Sequence, residues 1–232
     1  MYQWDWRILS VYKLVFLEGA IVTLWLTFIA VILGTILGVI AAFMKRARNK
    51  IVSAIAKGYI ELFRAVPILV LIVWIFYVLP ILLNWRVSAF VAAILALSIN
   101  LSAFVAETVR AAIESIPNSQ FESGVALGMT HRQIMQHIIL PQAIRNMVPN
   151  LMGLYISQLK NSSLASVIAV NELLHRSNIL ISETYRPLEI YTAIAVIYTA
   201  MILPLVWLSR IVEHRLAHVD KPTFGMEYEL TR

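Results

Sequence analysis

Residues 122–141 read ESGVALGMTHRQIMQHIILP, from Glu122 to Pro141, in a chain otherwise apolar enough to dissolve in lipid. This short stretch holds two glycines, two histidines and an arginine, and a proline closes it. Ser119 lies three residues before Glu122, the spacing of a capping box in which serine and glutamate each satisfy a free backbone donor. Gly128 falls where a left-handed residue ends that helix, since glycine has no β-carbon to clash. Thr130 and Gln133 form a second capping box, and Ile134 and Ile138 share one face behind it. Pro141, which cannot donate a backbone hydrogen bond, suits the first turn of a following helix. The spacing therefore predicts two short capped helices over 118–140, a stiff knob rather than a slack connection. A polar loop resting on a membrane surface, with Glu122 only a cap and Gly128 only a turn, fits the spacing equally well.

The surroundings of this stretch set the class. Of 232 residues, 60% are hydrophobic and 14% charged, against about 25% charged in an ordinary soluble domain. Gly19–Met44, Ala65–Trp85, Val87–Ala106 and Ile190–Ser209 carry no charge, and about 20 apolar residues suffice for a helix to cross hydrocarbon. A further span over about 146–165 starts near Pro149 and is interrupted at Lys160. The expectation is an all-α polytopic membrane protein with five spans, about 19–44, 65–85, 87–106, 146–165 and 190–209. It forms one unit over 1–232, with no internal repeat or linker. Residues 1–18 suit an amphipathic segment at the interface. The first span is too long, and lacks the basic leader, for a cleaved signal. Pro67 and Pro80 are placed to start and stop the second span. Gly34 and Gly38, in GTILG, allow close helix approach, and packing within the chain is favoured over a dimer seam.

Cation placement orients the bundle. With the amino terminus outside, 13 lysines and arginines fall inside and five outside, so the positive-inside rule puts the amino terminus out and the carboxyl terminus in the cytoplasm. The net charge of +6 then needs no nucleic acid to explain it. The basic tail after Arg210 is assigned to contact with anionic membrane lipid.

At this point the residues resemble a known family. Glu122, Gly128, Ile138, Leu140 and Pro141 occupy every spaced position of the E-A-A-x3-G-x9-I-x-L-P loop of bacterial ABC importer permeases, with Ser123 and Gly124 in place of the two alanines. ELFRAVPILV (Glu61–Val70), AETVRAAIESIP (Ala106–Pro117) and LKNSSLASVIAV (Leu159–Val170) are similar to the polar amino acid branch, closest to its glutamate/aspartate or glutamine members. The resemblance implies the type I importer permease fold in the bacterial cytoplasmic membrane. It makes Ser119, Glu122, Gly124, Gly128, Ile138, Leu140 and Pro141 the coupling element that docks on a cytoplasmic ABC ATPase dimer. It also implies a second permease subunit, identical or homologous, and an extracytoplasmic amino-acid-binding protein, for which Asn171 to Pro187 is the one outside loop long enough. The chain has no GxxxxGK[ST] phosphate loop, so a partner must hold the ATP.

Ionisable groups near hydrocarbon are functional suspects because their burial is costly. Lys160, Asn161, Ser162 and Ser163 break an apolar run, as broken helices do where they line a substrate path. A lysine reaching the outer headgroups is the plainer reading. Glu107 and Arg110, one turn apart, are a second suspect, with an interfacial ion pair favoured over a place on the path. The histidines are scattered, and their spacing does not read as a metal site; cysteine is absent, and no catalytic constellation or cofactor is implied. The competing readings are an energy-independent channel or a membrane scaffold; an integral-membrane enzyme comes last for want of residues.

Overall fold

The computed structural model describes residues 2–84 and 86–217, and among them there is no strand. Helix α1 (Arg7–Val11) leads into α2 (Lys13–Lys45), followed by α3 (Lys50–Ala65), whose first turn is capped by the Asn49 side chain accepting from the Ile51 amide. Val66 is extended, as the residue before a proline prefers, and Pro67 starts the next run. That run comprises α4 (Ile68–Val73), a π-wound turn (Trp74–Val78) and α5 (Leu79–Leu83), and lies at 106° to α3. Then come α6 (Ala89–Glu114), α7 (Asn118–Ala126) and α8 (His131–Ile134). A second π turn (Met135–Ile139) joins α8 to α9 (Leu140–Asn161), and a 3-10 turn (Ser162–Ile168) follows. Helices α10 (Leu173–Thr184) and α11 (Pro187–Ala217) complete the described chain.

The predicted second span therefore starts at Pro67 as expected, but Pro80 does not stop it. The helix continues to Leu83 and ends at Asn84, which is left-handed. Pro80 and Pro141 each sit two residues past a π turn. A proline inside a helix removes one backbone bond and crowds the carbonyl four residues back; a widened turn is a known local adjustment for such a break.

Helix α6 is the axis of the bundle, lined with buried small residues such as Ala92, Ala96, Ser98, Ser102 and Ala106. Against it runs α2, parallel. A β-carbon on Gly34 would stand 3.0 Å from the Ser98 carbonyl oxygen, and one on Gly38 would stand 2.6 Å from Val105 Cβ. The GTILG glycines thus serve packing within the chain. On length and composition, α2, α6 and α11 qualify as crossing helices, and the bent α3/α4–α5 pair makes a fourth if it is one span.

The expected loop 171–187 is mostly helix. Glu172, fully buried, caps α10 by accepting from the amides of Leu174 and His175, and it also accepts from the Tyr198 hydroxyl of α11 at 2.8 Å. Burial pushes its carboxyl above the usual range, while the two amides and that hydroxyl hold it down. The Leu173 amide donates to Thr23 of α2, so α2, α10 and α11 meet here. Glutamate is an unusual N-cap, which hid this helix from sequence reading. Glu172→Ala should leave two buried amides and a hydroxyl without partners, costing about 1–3 kcal/mol; a lowered unfolding temperature in detergent is the check. Nearby, buried Glu189 accepts from the Tyr2 hydroxyl and the Asp5 amide. The amino-terminal segment is thereby fastened to the start of α11, with Trp4 and Trp6 stacked and half exposed.

Candidate functional site

The elbow after α6 keeps the two helices its spacing predicts, but differs at the start of the first and at the end of the second. Pro117, not Ser119, occupies the N-cap of α7 and gives no side-chain bond; Ser119 is an exposed residue within the first turn. The serine–glutamate box does not form because the helix begins two residues earlier, at Asn118. Glu122 is therefore no cap. Its carboxylate is exposed and makes no hydrogen bond or ion pair among the described residues. The second box does form: Gln133 N donates to Thr130 Oγ1, and Thr130 N donates to Gln133 Oε1 at 2.8 Å.

Gly128 has φ +73°. Its amide donates to Val125 O at 2.9 Å, and the Met129 amide donates to Gly124 O at 3.0 Å. These two bonds make a Schellman ending, which requires the left-handed residue. Gly124 serves differently: a β-carbon there would lie 2.7 Å from Ile134 Cγ1 and 3.2 Å from Ile138 Cδ1. The close approach is thus between α7 and the α8–π segment, and the space around Gly128 is open. Ile134 is fully buried, Ile138 and Leu140 half buried, and Pro141 exposed. Sequence reading missed the tip of the elbow, where Val125 and Leu127 are 55% and 78% exposed, an apolar surface beside the free Glu122.

Nor is the second elbow helix a separate piece. From His131 to Asn161 the helix is continuous through the π turn, a rod of about 45 Å at 1.5 Å per residue. Pro141 falls in the first turn of α9, as its chemistry suggests, but α9 itself continues α8 through the π turn, so the helix that carries residues 146–161 reaches back to the elbow.

Along that rod Asn146, Asn150, Gly153, Ser157 and Lys160 are all exposed. At 3.6 residues per turn they fall within about 80° of one another, a single polar and small-residue stripe. The opposite side packs on α6 and α2: Gln158 Nε2 donates to Leu97 O at 3.1 Å, and the Tyr155 and Thr35 hydroxyls lie 3.0 Å apart. Asn146 donates to Ser115 at the far end, so α9 runs antiparallel to α6. Lys160 is about one turn past Thr35 and Leu97, level with the middle of the apolar stretches 19–44 and 87–106. Its ammonium has no partner among the described residues. Ser163 donates back to the Lys160 carbonyl, the buried Ser162 donates to the Leu159 carbonyl, and Asn161 is half buried.

Glu107 is not brought to this cluster. It binds Arg110, as the sequence suggested, and also Lys45 at 3.3 Å and Arg64 at 3.8 Å. This network ties together the ends of α2, α3 and α6. Ten residues of α6, about 15 Å, separate it from the level of Leu97. The basic tail falls largely outside the described residues, which stop at 217; within them Arg210 and Arg215 are exposed near the end of α11.

An apolar bundle whose polar-faced helix is rigidly continuous with a capped, externally exposed elbow belongs to the class of membrane permease subunits. Residues 34–218 match the family described as binding-protein-dependent transport system inner membrane component, and the chain belongs to that family. Family members are inner-membrane, non-catalytic subunits of ABC importers that work with an ATPase and a binding protein. The chain is 34% identical over 215 residues to the glutamine transport system permease protein GlnP of Escherichia coli K12, covering 92% of this chain and 98% of that one. To the arginine transport system permease protein ArtQ of Bacillus subtilis 168 it is 32% identical, over 88% of this chain and 93% of that one. A solved amino acid ABC transporter with histidines superposes with a TM-score of 0.88 at 39% identity, over 92% of this chain and all of that one.

Proposed function

We propose that this chain is the permease subunit of an ATP-driven, binding-protein-dependent importer of polar amino acids, with glutamate/aspartate or glutamine as substrate. The observation that carries the reading is the continuous rod from His131 to Asn161, which joins the elbow to the polar stripe. A push on one end must move the other, because a helix is stiff along its axis. An exposed polar face at mid-bundle depth is tolerated where it lines a water-filled path rather than lipid. In this reading the chain crosses five times with its amino terminus outside, α9 with its 3-10 turn being the broken fourth crossing. Two such subunits, identical or homologous, enclose the path. A cytoplasmic ATPase dimer takes the elbow, through Glu122, Val125 and Leu127, and a binding protein delivers substrate from outside. The relatives named for glutamine and arginine support the amino acid class.

The ammonium of Lys160, without a partner among the described residues, narrows the substrate. Set in a low-dielectric wall, it attracts a carboxylate and repels a cationic side chain, which favours acidic and neutral amino acids over arginine. Lys160→Ala should lower kcat/KM for transport by about 10- to 100-fold, the usual worth of a hydrogen bond to a charged group. An unchanged affinity and rate removes Lys160 from the path. The whole reading is tested by reconstituting the permease with its ATPase and binding protein in vesicles and assaying a panel of labelled amino acids. Uptake that requires ATP and loaded binding protein supports it; solute movement indifferent to both would identify a channel instead.

A further inference from the structure

Helices α2 and α3 leave a groove of about 220 Å³ between them, walled by Leu37, Ile40 and Met44 on one side and Ile55, Ala56 and Tyr59 on the other. It follows α2 for about two turns, or about 10 Å. The Tyr59 hydroxyl lies 2.6 Å from Ser102 Oγ, so the groove is left with apolar walls. Ile40 and Ile55 remain 49% and 62% exposed. The volume is below that of small-molecule sites, roughly 300–1,000 Å³, and suits a length of hydrocarbon chain.

Met44, the last wall residue on α2, is followed at once by the α2–α3 turn. Ser53 Oγ donates to the Lys45 carbonyl at 2.7 Å and fixes that turn. Lys45 is engaged with Glu107. Arg46, Arg48 and Lys50 are exposed, and their side chains have no hydrogen bond or ion pair among the described residues. No acidic residue occurs between Glu18 and Glu61 to neutralise them. Three uncompensated cations thus stand at the end of a helix apolar enough to cross a membrane, beside an apolar slot. Guanidinium groups match phosphate oxygens two at a time. A soluble anion would leave the slot empty, and an uncharged lipid would leave the cations without partners. Together they fit a molecule with an anionic head and an apolar tail.

We propose that this turn and groove hold one anionic phospholipid, with its phosphate on Arg46, Arg48 and Lys50 and one acyl chain between α2 and α3. Bound there, the lipid ties α3 to α2 from the membrane side. Such a site depends only on the membrane bundle, so failure of the importer reading would leave it untouched.

The test titrates delipidated transporter with phosphatidylglycerol or phosphatidylcholine of the same acyl chains and counts bound lipid by native mass spectrometry. A cation near the headgroups is worth about fivefold in affinity, so the native protein should bind phosphatidylglycerol about tenfold or more tightly than phosphatidylcholine. Arg46→Gln combined with Arg48→Gln should abolish that preference. Ile55→Trp fills the slot from an exposed position without altering charge. It should weaken phosphatidylglycerol binding about tenfold, as each buried methylene contributes about fourfold. Glycerol phosphate, which carries the anion but no chains, should compete poorly. Both substitutions are at exposed positions, and the native preference is read without either. Equal binding of the two lipids by the native protein overturns the site, and so does undiminished phosphatidylglycerol binding by Ile55→Trp. Full competition by glycerol phosphate would assign the cations to a soluble anion, and loss of the lipid on adding the ATPase would assign the turn to a protein contact. Either result overturns the lipid site as well.

Discussion

Replacing Gly128 by valine should abolish ATP-driven uptake while leaving the amount of membrane-inserted protein unchanged. At φ +73° a β-branched side chain is strained by about 1–3 kcal/mol, because its β-carbon meets its own backbone. The space around Gly128 is open, so the bundle itself has no reason to reject the change. The strain falls instead on the Schellman ending that sets the angle between α7 and α8. Relieving it turns α7, and with it Glu122, Val125 and Leu127, away from any partner surface. Asparagine, which tolerates the left-handed region better, should retain part of the activity. Native uptake by the valine variant would remove the elbow from the coupling role.

Gly38→Val should have the opposite profile, a protein that fails to assemble rather than one that assembles and does not work. Its Cβ would stand 2.6 Å from Val105 Cβ and 2.7 Å from the Ser102 carbonyl oxygen. The second of these is backbone and cannot swing aside. Helices α2 and α6 must part, opening the core along Leu101, Val105 and Ala106. Overpacking of a close-packed core costs typically 1–3 kcal/mol and more where backbone must move. The expected result is loss of monodisperse protein in detergent and a strongly lowered unfolding temperature. Gly58→Ala is the control: no atom lies within 4 Å of a β-carbon there, and in the interior of α3 the change should gain about 0.5–1 kcal/mol. Equal stability of Gly38→Val and the native protein would contradict the α2–α6 packing.

These two glycines also show how far the residues could be read without the fold. Gly128 was legible because a helix ending is a local matter: the turn, the box at Thr130 and the glycine lie within a few residues of each other. Gly38 was legible only as a pattern, since GTILG permits close approach without naming a partner. Ser119 shows the limit even of local reading. An S-x-x-E spacing is met, but Pro117 already supplies the fixed backbone angle for the helix start, and the box is not needed. The stripe Asn146–Asn150–Gly153–Ser157–Lys160 was visible in principle from its four- and three-residue spacing. Its continuity is hidden in the sequence by Pro141 and Pro149, which read as helix starts, and by the charge at Lys160. Glu172 lies in the stretch 171–187 expected as a loop: its bonds to the Leu174 and His175 amides are local, but the partners that bury it there, Thr23 of α2 and Tyr198 of α11, are distant in sequence.

Periodicity, capping and charge placement are short-range properties, and from them alone came the helical class, the apolar runs, the stiff elbow and the left-handed Gly128. Tertiary packing alone decided that α2 and α6 meet at the glycines, that Glu107 joins Lys45 and Arg64, and that the Lys160 ammonium has no partner among the described residues. It also decided that elbow and stripe are one rod. The reason is that depth, pairing and continuity depend on which helices abut, and that is settled by burial of whole faces against one another rather than by any neighbouring residue.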